Sequence, residues 1–246
     1  MTGEAYAAES EAPPPAGAPD RLAPYLPWTD GTGRARGAWW RVPLAARGAV
    51  GYLVVSWGLF ARLAHDGGAK YVIADDRVGA WVYRIPDLSQ NAPRAVRSPL
   101  TAPFLNHDSL QLVYVTTLVL LFGVVFEARE GTRTTMLVFF GAGLAAAVGA
   151  GLLLHVIYPD RSGGAFFETA WERTWSGGSA GCFGLMGGLA ARARRPWPLL
   201  GLFALWEINV EYWHLRSYTT VFHFIALGVG FLLMRYGVQG RFRACH

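Results

Sequence analysis

An all-α, polytopic membrane protein of six transmembrane helices is predicted by three observations. The chain is 52% hydrophobic and 14% aromatic with only 16% charged residues, at a mean hydropathy of +0.25, whereas a soluble domain carries about a quarter charged residues. Six apolar stretches recur between polar connections, at about 45–64, 109–127, 134–157, 177–191, 197–213 and 217–236. The arginines collect at one set of ends of these stretches, the pattern of a cytoplasmic face. The net charge of +5 is an arginine charge, since Lys70 is the single lysine, and in this apolar context it implies a membrane partner and no nucleic acid. Cys182 and Cys245 define no disulfide framework.

Residues 1–38 are rich in Ala, Pro, Gly and acidic side chains. With no apolar set to offset the entropy of ordering, they are expected to form a disordered cytoplasmic tail. They lack a charged segment followed by an apolar one, so no secretory signal peptide is expected. Arg34, Arg36, Trp39, Trp40, Arg41 and Arg47 then mix cations with amphipathic rings, as at a headgroup boundary, and open a membrane domain over 39–238.

The first stretch, about twenty residues, matches a hydrocarbon core of ~30 Å at ~1.5 Å per residue. The connection from His65 to Asp108, with Trp81, Tyr83 and Phe104, is longer than a simple link needs, and is expected to fold at the interface. The second stretch leads through a tight charged turn (Ala128 to Arg133) into the third, whose abundant Gly and Ala suit close helix packing in lipid. Residues 158–176 form an outer loop in which Trp171 and Trp175, with Trp197 further on, read as interface belts.

The fourth stretch is short. Fifteen residues reach only ~22 Å as a helix, so it starts below the membrane surface and its entry must be buried in protein or line a water-filled cavity. Ser179 stands at that start, within Gly177-Gly178-Ser179-Ala180-Gly181. The fifth carries Glu207, Asn209 and Glu211, readable as a polar wall or as interfacial side chains reaching for water. The sixth carries His223. Six spans put both termini on one side, with the Arg192 to Arg195 cluster and a short basic C-tail at 239–246, and place Ser179 and His223 on the outer side of the midplane. An intramembrane histidine is a functional residue by default, so the pair is a candidate Ser–His dyad. His107, His155 and His214 fall on separate segments without ligand spacing; no metal or other cofactor is expected.

Four motifs carry a resemblance to one family. Gly177-Gly178-Ser179-Ala180 followed by Phe183-Gly184-Leu185-Met186-Gly187 is similar to the G-x-S-G-x-x-[FY]-[GA]-L-[LM]-G segment of the rhomboid intramembrane serine proteases. His223 with Ala226 and Gly230 resembles the H-x-x-G-x-x-x-G of their sixth helix. Leu100-Thr101-Ala102-Pro103-Phe104-Leu105-Asn106 resembles L-T-x-x-F-L-H, and Phe122-Gly123 with Glu127 and Gly131 is similar to F-G-x-x-x-E-x-x-x-G.

The resemblance implies a six-helix bundle in a bacterial plasma membrane, with both termini cytoplasmic, that cleaves transmembrane protein substrates near the outer face. It assigns Ser179 as nucleophile and His223 as base and then acid; a serine hydroxyl needs such a base within hydrogen-bond reach. Gly177, Gly178 and Gln111 are expected to support the oxyanion, with amides at the start of the fourth helix. The family's second-helix His and Asn fall on Gln111 and Val115, its glycine after the serine is Ala180, and the position before the histidine is Phe222. These departures define the alternative: a catalytically silent relative that binds or scaffolds other membrane helices, as part of a larger complex.

Overall fold

The structure, a computed structural model, describes residues 46–67, 76–158, 164–214 and 218–237. The tail at 1–38 and the basic segment at 239–246 lie outside the described residues. Among the described residues the regular structure is helical apart from one pair of two-residue strands. Helix α1 (Arg47–Gly67) is followed by α2 (Asp76–Gly79), strand β1 (Tyr83–Arg84), α3 (Asp87–Gln90) and α4 (Ala92–Thr101). Next come α5 (Ser109–Glu130), α6 (Thr132–Ile157) and α7 (Ala165–Glu172). Strand β2 (Thr174–Trp175), α8 (Ser179–Arg192), α9 (Trp197–His214) and α10 (Thr219–Gly237) complete the described chain.

Among the described residues three helices, α5, α6 and α10, are long and apolar enough to cross a membrane by themselves. Helix α8, with 14 residues, is shorter than a span, and all of Gly181 to Ala191 is buried. Its neighbours do the burying: α6 and α10 pack against it and against each other to form the centre of the molecule. On α6 the contact is a stripe of Val138, Ala142, Ala146, Ala150 and Leu154, each fully buried. The spacing of four residues keeps this stripe on one face, and its small side chains bring the neighbouring backbones in. Outward, Val54, Leu121, Leu137, Leu205 and Leu232 are exposed. Apolar residues turned outward around a close-packed interior are the pattern of a protein solvated by lipid.

Helix α5 contains a π-helical turn at Val119–Gly123, and its last turn carries the buried Glu127. That carboxylate accepts from the amides of Gly48 and Ala49, each at 2.7 Å, and from the Thr132 hydroxyl at 2.6 Å. A helix start leaves amides unpaired and carries partial positive charge, so Glu127 both caps α1 and ties it to the α5–α6 turn.

The connection after α1 is folded over its described part, residues 76–108, as its aromatic content suggests. Arg94 pairs with Asp87 at 3.0 Å, and the Tyr83 hydroxyl reaches into the bundle to the Ala147 carbonyl at 2.8 Å. Strands β1 and β2 pair antiparallel, Tyr83 opposite Trp175 and Arg84 opposite Thr174, joining this connection to the segment that enters α8.

Candidate active site

The entry to α8 is built by local chemistry. Gly177 has φ +91°, a left-handed conformation that glycine adopts without steric cost. Its N–H donates to the Ala102 carbonyl at 2.9 Å. Beneath it, Gln111 donates from Nε2 to the Ser176 carbonyl at 3.0 Å and accepts at Oε1 from the His107 amide at 2.5 Å. The Gln111 amide in turn donates to Asp108, the N-cap of α5, at 2.8 Å. A Cβ at Gly177 would stand 2.7 Å from Gln111 Nε2, so this crossing needs glycine.

Gly178 gives α8 no side-chain cap, and the helical ladder begins with the Cys182 N–H donating to the Gly178 carbonyl at 3.0 Å. The amides of Ser179, Ala180 and Gly181 precede that bond, and these three residues line a cavity of about 60 Å³. Its other walls include Tyr83, Phe139, Trp175, Thr219 and Phe222.

Ser179 and His223 meet in that cavity. The Ser179 Oγ lies 2.9 Å from His223 Nε2, with Ser179 8% and His223 4% exposed. Two features hold this distance. The imidazole lies flat on the Phe183 ring, one turn along from Ser179, at 4.2 Å between centroids and an interplanar angle of 6°. Further down, α8 and α10 approach backbone to backbone: a side chain at Gly187 would collide with the Leu227 carbonyl, and one at Gly230 with Gly184. The glycine-rich pattern of α8 thus serves the approach of the histidine helix.

The other ring nitrogen of His223 is also engaged. Its Nδ1 lies 2.6 Å from Glu207 Oε1, and Glu207 is wholly buried on α9. With Glu207 ionised, its carboxylate can only accept, and Nδ1 then carries the proton while Nε2 presents its lone pair to the Ser179 hydroxyl. The result is a linear hydrogen-bonded chain from hydroxyl to imidazole to carboxylate.

Sequence reasoning left Glu207 between a polar wall and an interfacial side chain, and it occupies neither position. The spacing of Phe203 and Glu207 puts both on the inward face of α9, while Leu202, Leu205, Trp206 and Ile208 face out. Trp175, expected at the interface, is buried instead and stacks on Phe222 at 4.4 Å between centroids; its strand pairing with Tyr83 draws it inward. Val115 is in the core at 1% exposure.

A family model for the Rhomboid domain matches residues 93–240, more than half of the chain, from α4 past the end of α10. No curated protein and no solved structure matches the chain. Together with an apolar helical bundle whose short, buried helix α8 starts inside the protein at Ser179, directly after Gly177-Gly178, that match makes the chain a member of the rhomboid family of membrane proteins.

Proposed function

We infer that the chain is an intramembrane serine endopeptidase that cuts transmembrane protein substrates near the outer face of a bacterial plasma membrane. The observation that carries this reading is the 2.9 Å contact between Ser179 Oγ and His223 Nε2, two buried side chains on the wall of the cavity. In the reaction the Ser179 oxygen bonds to the scissile carbonyl carbon as its proton passes to Nε2. The C–N bond then breaks, and the same proton leaves with the amine. Water repeats the sequence in reverse to free Ser179.

The amides of Ser179, Ala180 and Gly181 supply donors for the oxyanion at the uncapped start of α8, where the helix end favours negative charge. Gly177 and Gly178 let the chain enter at that angle. Gln111 supports the site by fixing Ser176 and Gly177 from below. A substrate helix must unwind locally to present an extended carbonyl, because the cavity admits no intact helix.

The orientation rests on charge. Arg129 and Arg133 flank the α5–α6 turn, Arg192 ends α8 and Arg235 ends α10, all at the end of the bundle away from Ser179. Arg192 and Glu130 lock that end with a bidentate pair at 2.8 and 2.6 Å. Positive charge marks the cytoplasmic side, so the cavity faces outward.

The silent-scaffold reading is favoured by Val115, an apolar core residue where the family carries an amide. Loss of one oxyanion donor slows acyl transfer by roughly 10²–10³. Both readings are tested by co-expressing the protein, or its Ser179→Ala variant, with a panel of single-span reporters carrying helix-breaking residues near their outer ends. Fragments cut at those ends by the wild type alone support proteolysis. Reporters that co-purify intact with both forms support the scaffold.

A further inference from the structure

We propose that Glu207 is a positioning residue that extends the Ser179–His223 pair into a three-membered Ser–His–Glu arrangement. The proposal rests on the serine endopeptidase reading. Three observations carry it.

The first is geometry: Glu207 Oε1 stands 2.6 Å from His223 Nδ1, with side-chain exposures of 1% and 5%. At that length and burial the carboxylate selects the tautomer in which Nε2 is free to receive the Ser179 proton. The second is the state of the other oxygen. Glu207 Oε2 is buried with no hydrogen-bond partner among the described residues. A carboxylate taken out of solvent is costly to bury, and an apolar residue of similar size would hold a helix pair better. The third is the placement of α9. It packs against α8 and α10 more sparsely than α6 does, and its buried face offers Phe203, set edge-on to Phe122 at 5.7 Å, and Glu207. Among the described side chains of α9, Glu207 is the polar one that is buried, and it is aimed at the imidazole.

In the reaction Glu207 takes no proton. As the Ser179 Oγ–H bond breaks and the proton arrives on Nε2, the ring becomes an imidazolium in a water-poor interior. The carboxylate at Nδ1 offsets that charge and holds the ring on the line between hydroxyl and leaving amine.

The test compares covalent labelling by a fluorophosphonate in wild type, Glu207→Gln, Glu207→Asp, Ser179→Ala and His223→Ala, purified as full chains in detergent. Reading kinact separately from KI, and the melting temperature of each, distinguishes positioning from folding. Glu207→Gln can donate an amide proton to Nδ1 and so turn Nε2 into a donor. It is expected to keep KI and the melting temperature while kinact falls steeply, by as much as roughly 10⁴, the drop seen when a buried acid behind a catalytic histidine is made an amide. Glu207→Asp restores the charge one methylene short and is expected to recover part of the rate.

A Glu207→Gln kinact within threefold of wild type, with Ser179→Ala and His223→Ala unlabelled, overturns the role of Glu207 and leaves the protease reading standing. Absence of labelling in folded wild type overturns both. Should Glu207→Gln fail to fold, Glu207→Asp decides: a loss of roughly tenfold or more at unchanged melting temperature supports the role, since a shift of about 1 Å in such a contact can remove as much as ~10²-fold, and a wild-type rate overturns it.

Discussion

Replacing Gly187 with alanine tests whether the helix contact sets the site. A Cβ there would strike the Leu227 carbonyl oxygen and stand 2.8 Å from its carbonyl carbon and 3.0 Å from the Phe231 amide nitrogen. Carbon atoms pack at ~3.5 Å or more, so the carbon contact alone is short by ~0.7 Å, and the oxygen contact by more. Both partners are main-chain atoms in helices, which no rotamer change can relieve. Helix α8 must move from α10 by about 1 Å. Overpacking of this kind costs ~1–3 kcal/mol, opposed by the ~1 kcal/mol that alanine gains over glycine in a helix, and the backbone origin of the clash places it at the upper end. The functional loss is larger, because Ser179 and His223 sit on these two helices, and a displacement near 1 Å lowers the rate by as much as ~10²-fold.

The assay is thermal melting in detergent together with the fluorophosphonate labelling rate. Gly228→Ala is the control: it lies on α10 itself and its added Cβ meets nothing within 4 Å. The control should melt at or above the wild-type temperature and label normally, while Gly187→Ala should melt lower and label far more slowly. Equal behaviour of the two variants would refute the argument that the glycine contact positions the dyad.

Two further outcomes follow from the described contacts. Glu127→Ala strands the amides of Gly48 and Ala49 and releases Thr132, and at ~1–3 kcal/mol per buried unpaired donor it should destabilise the protein by about 3 kcal/mol in denaturant titration, with Glu127→Gln losing less because one acceptor oxygen remains. His107, beside the start of α5, is held below the ordinary histidine range, first by burial and then by Arg173, with Asp108 opposing. The unfolded chain, with an ordinary value near 6.5, then binds more protons than the native one as pH falls below that point, so stability declines on the acid side. Melting temperatures at pH 7.5 and 5.5 should fall further for wild type than for His107→Asn; equal falls would remove His107 from the account.

The chain's hydropathy made the long helices legible, and the short fourth stretch announced its buried start through length alone: about fifteen residues cannot cross the core, so its glycine-rich start had to lie inside protein or line a cavity. Ser179 alone read as well as a packing residue bonded to its own helix; the pairing was legible because an intramembrane histidine is costly without a partner and His223 falls at the same depth. Glu207 was not, because composition gives no rotational register for α9; its neighbours Asn209 and Glu211 pointed equally to an aqueous edge, and only the inward face shared with Phe203 singles it out. Trp175 misled for a similar reason, since an indole in an outer loop resembles an interface anchor until β1 and β2 are seen to pair. That pairing joins two-residue strands some ninety positions apart, too short and too distant for any periodicity to reveal.

The central claim is that Ser179 is a nucleophile activated by His223. Peptide mapping of the folded, full-length protein after fluorophosphonate treatment measures it directly. The account predicts a single stoichiometric phosphonyl adduct on Ser179, lost in His223→Ala although that variant retains its serine. An unmodified Ser179 in folded wild type, or an adduct that persists in Ser179→Ala, would contradict it.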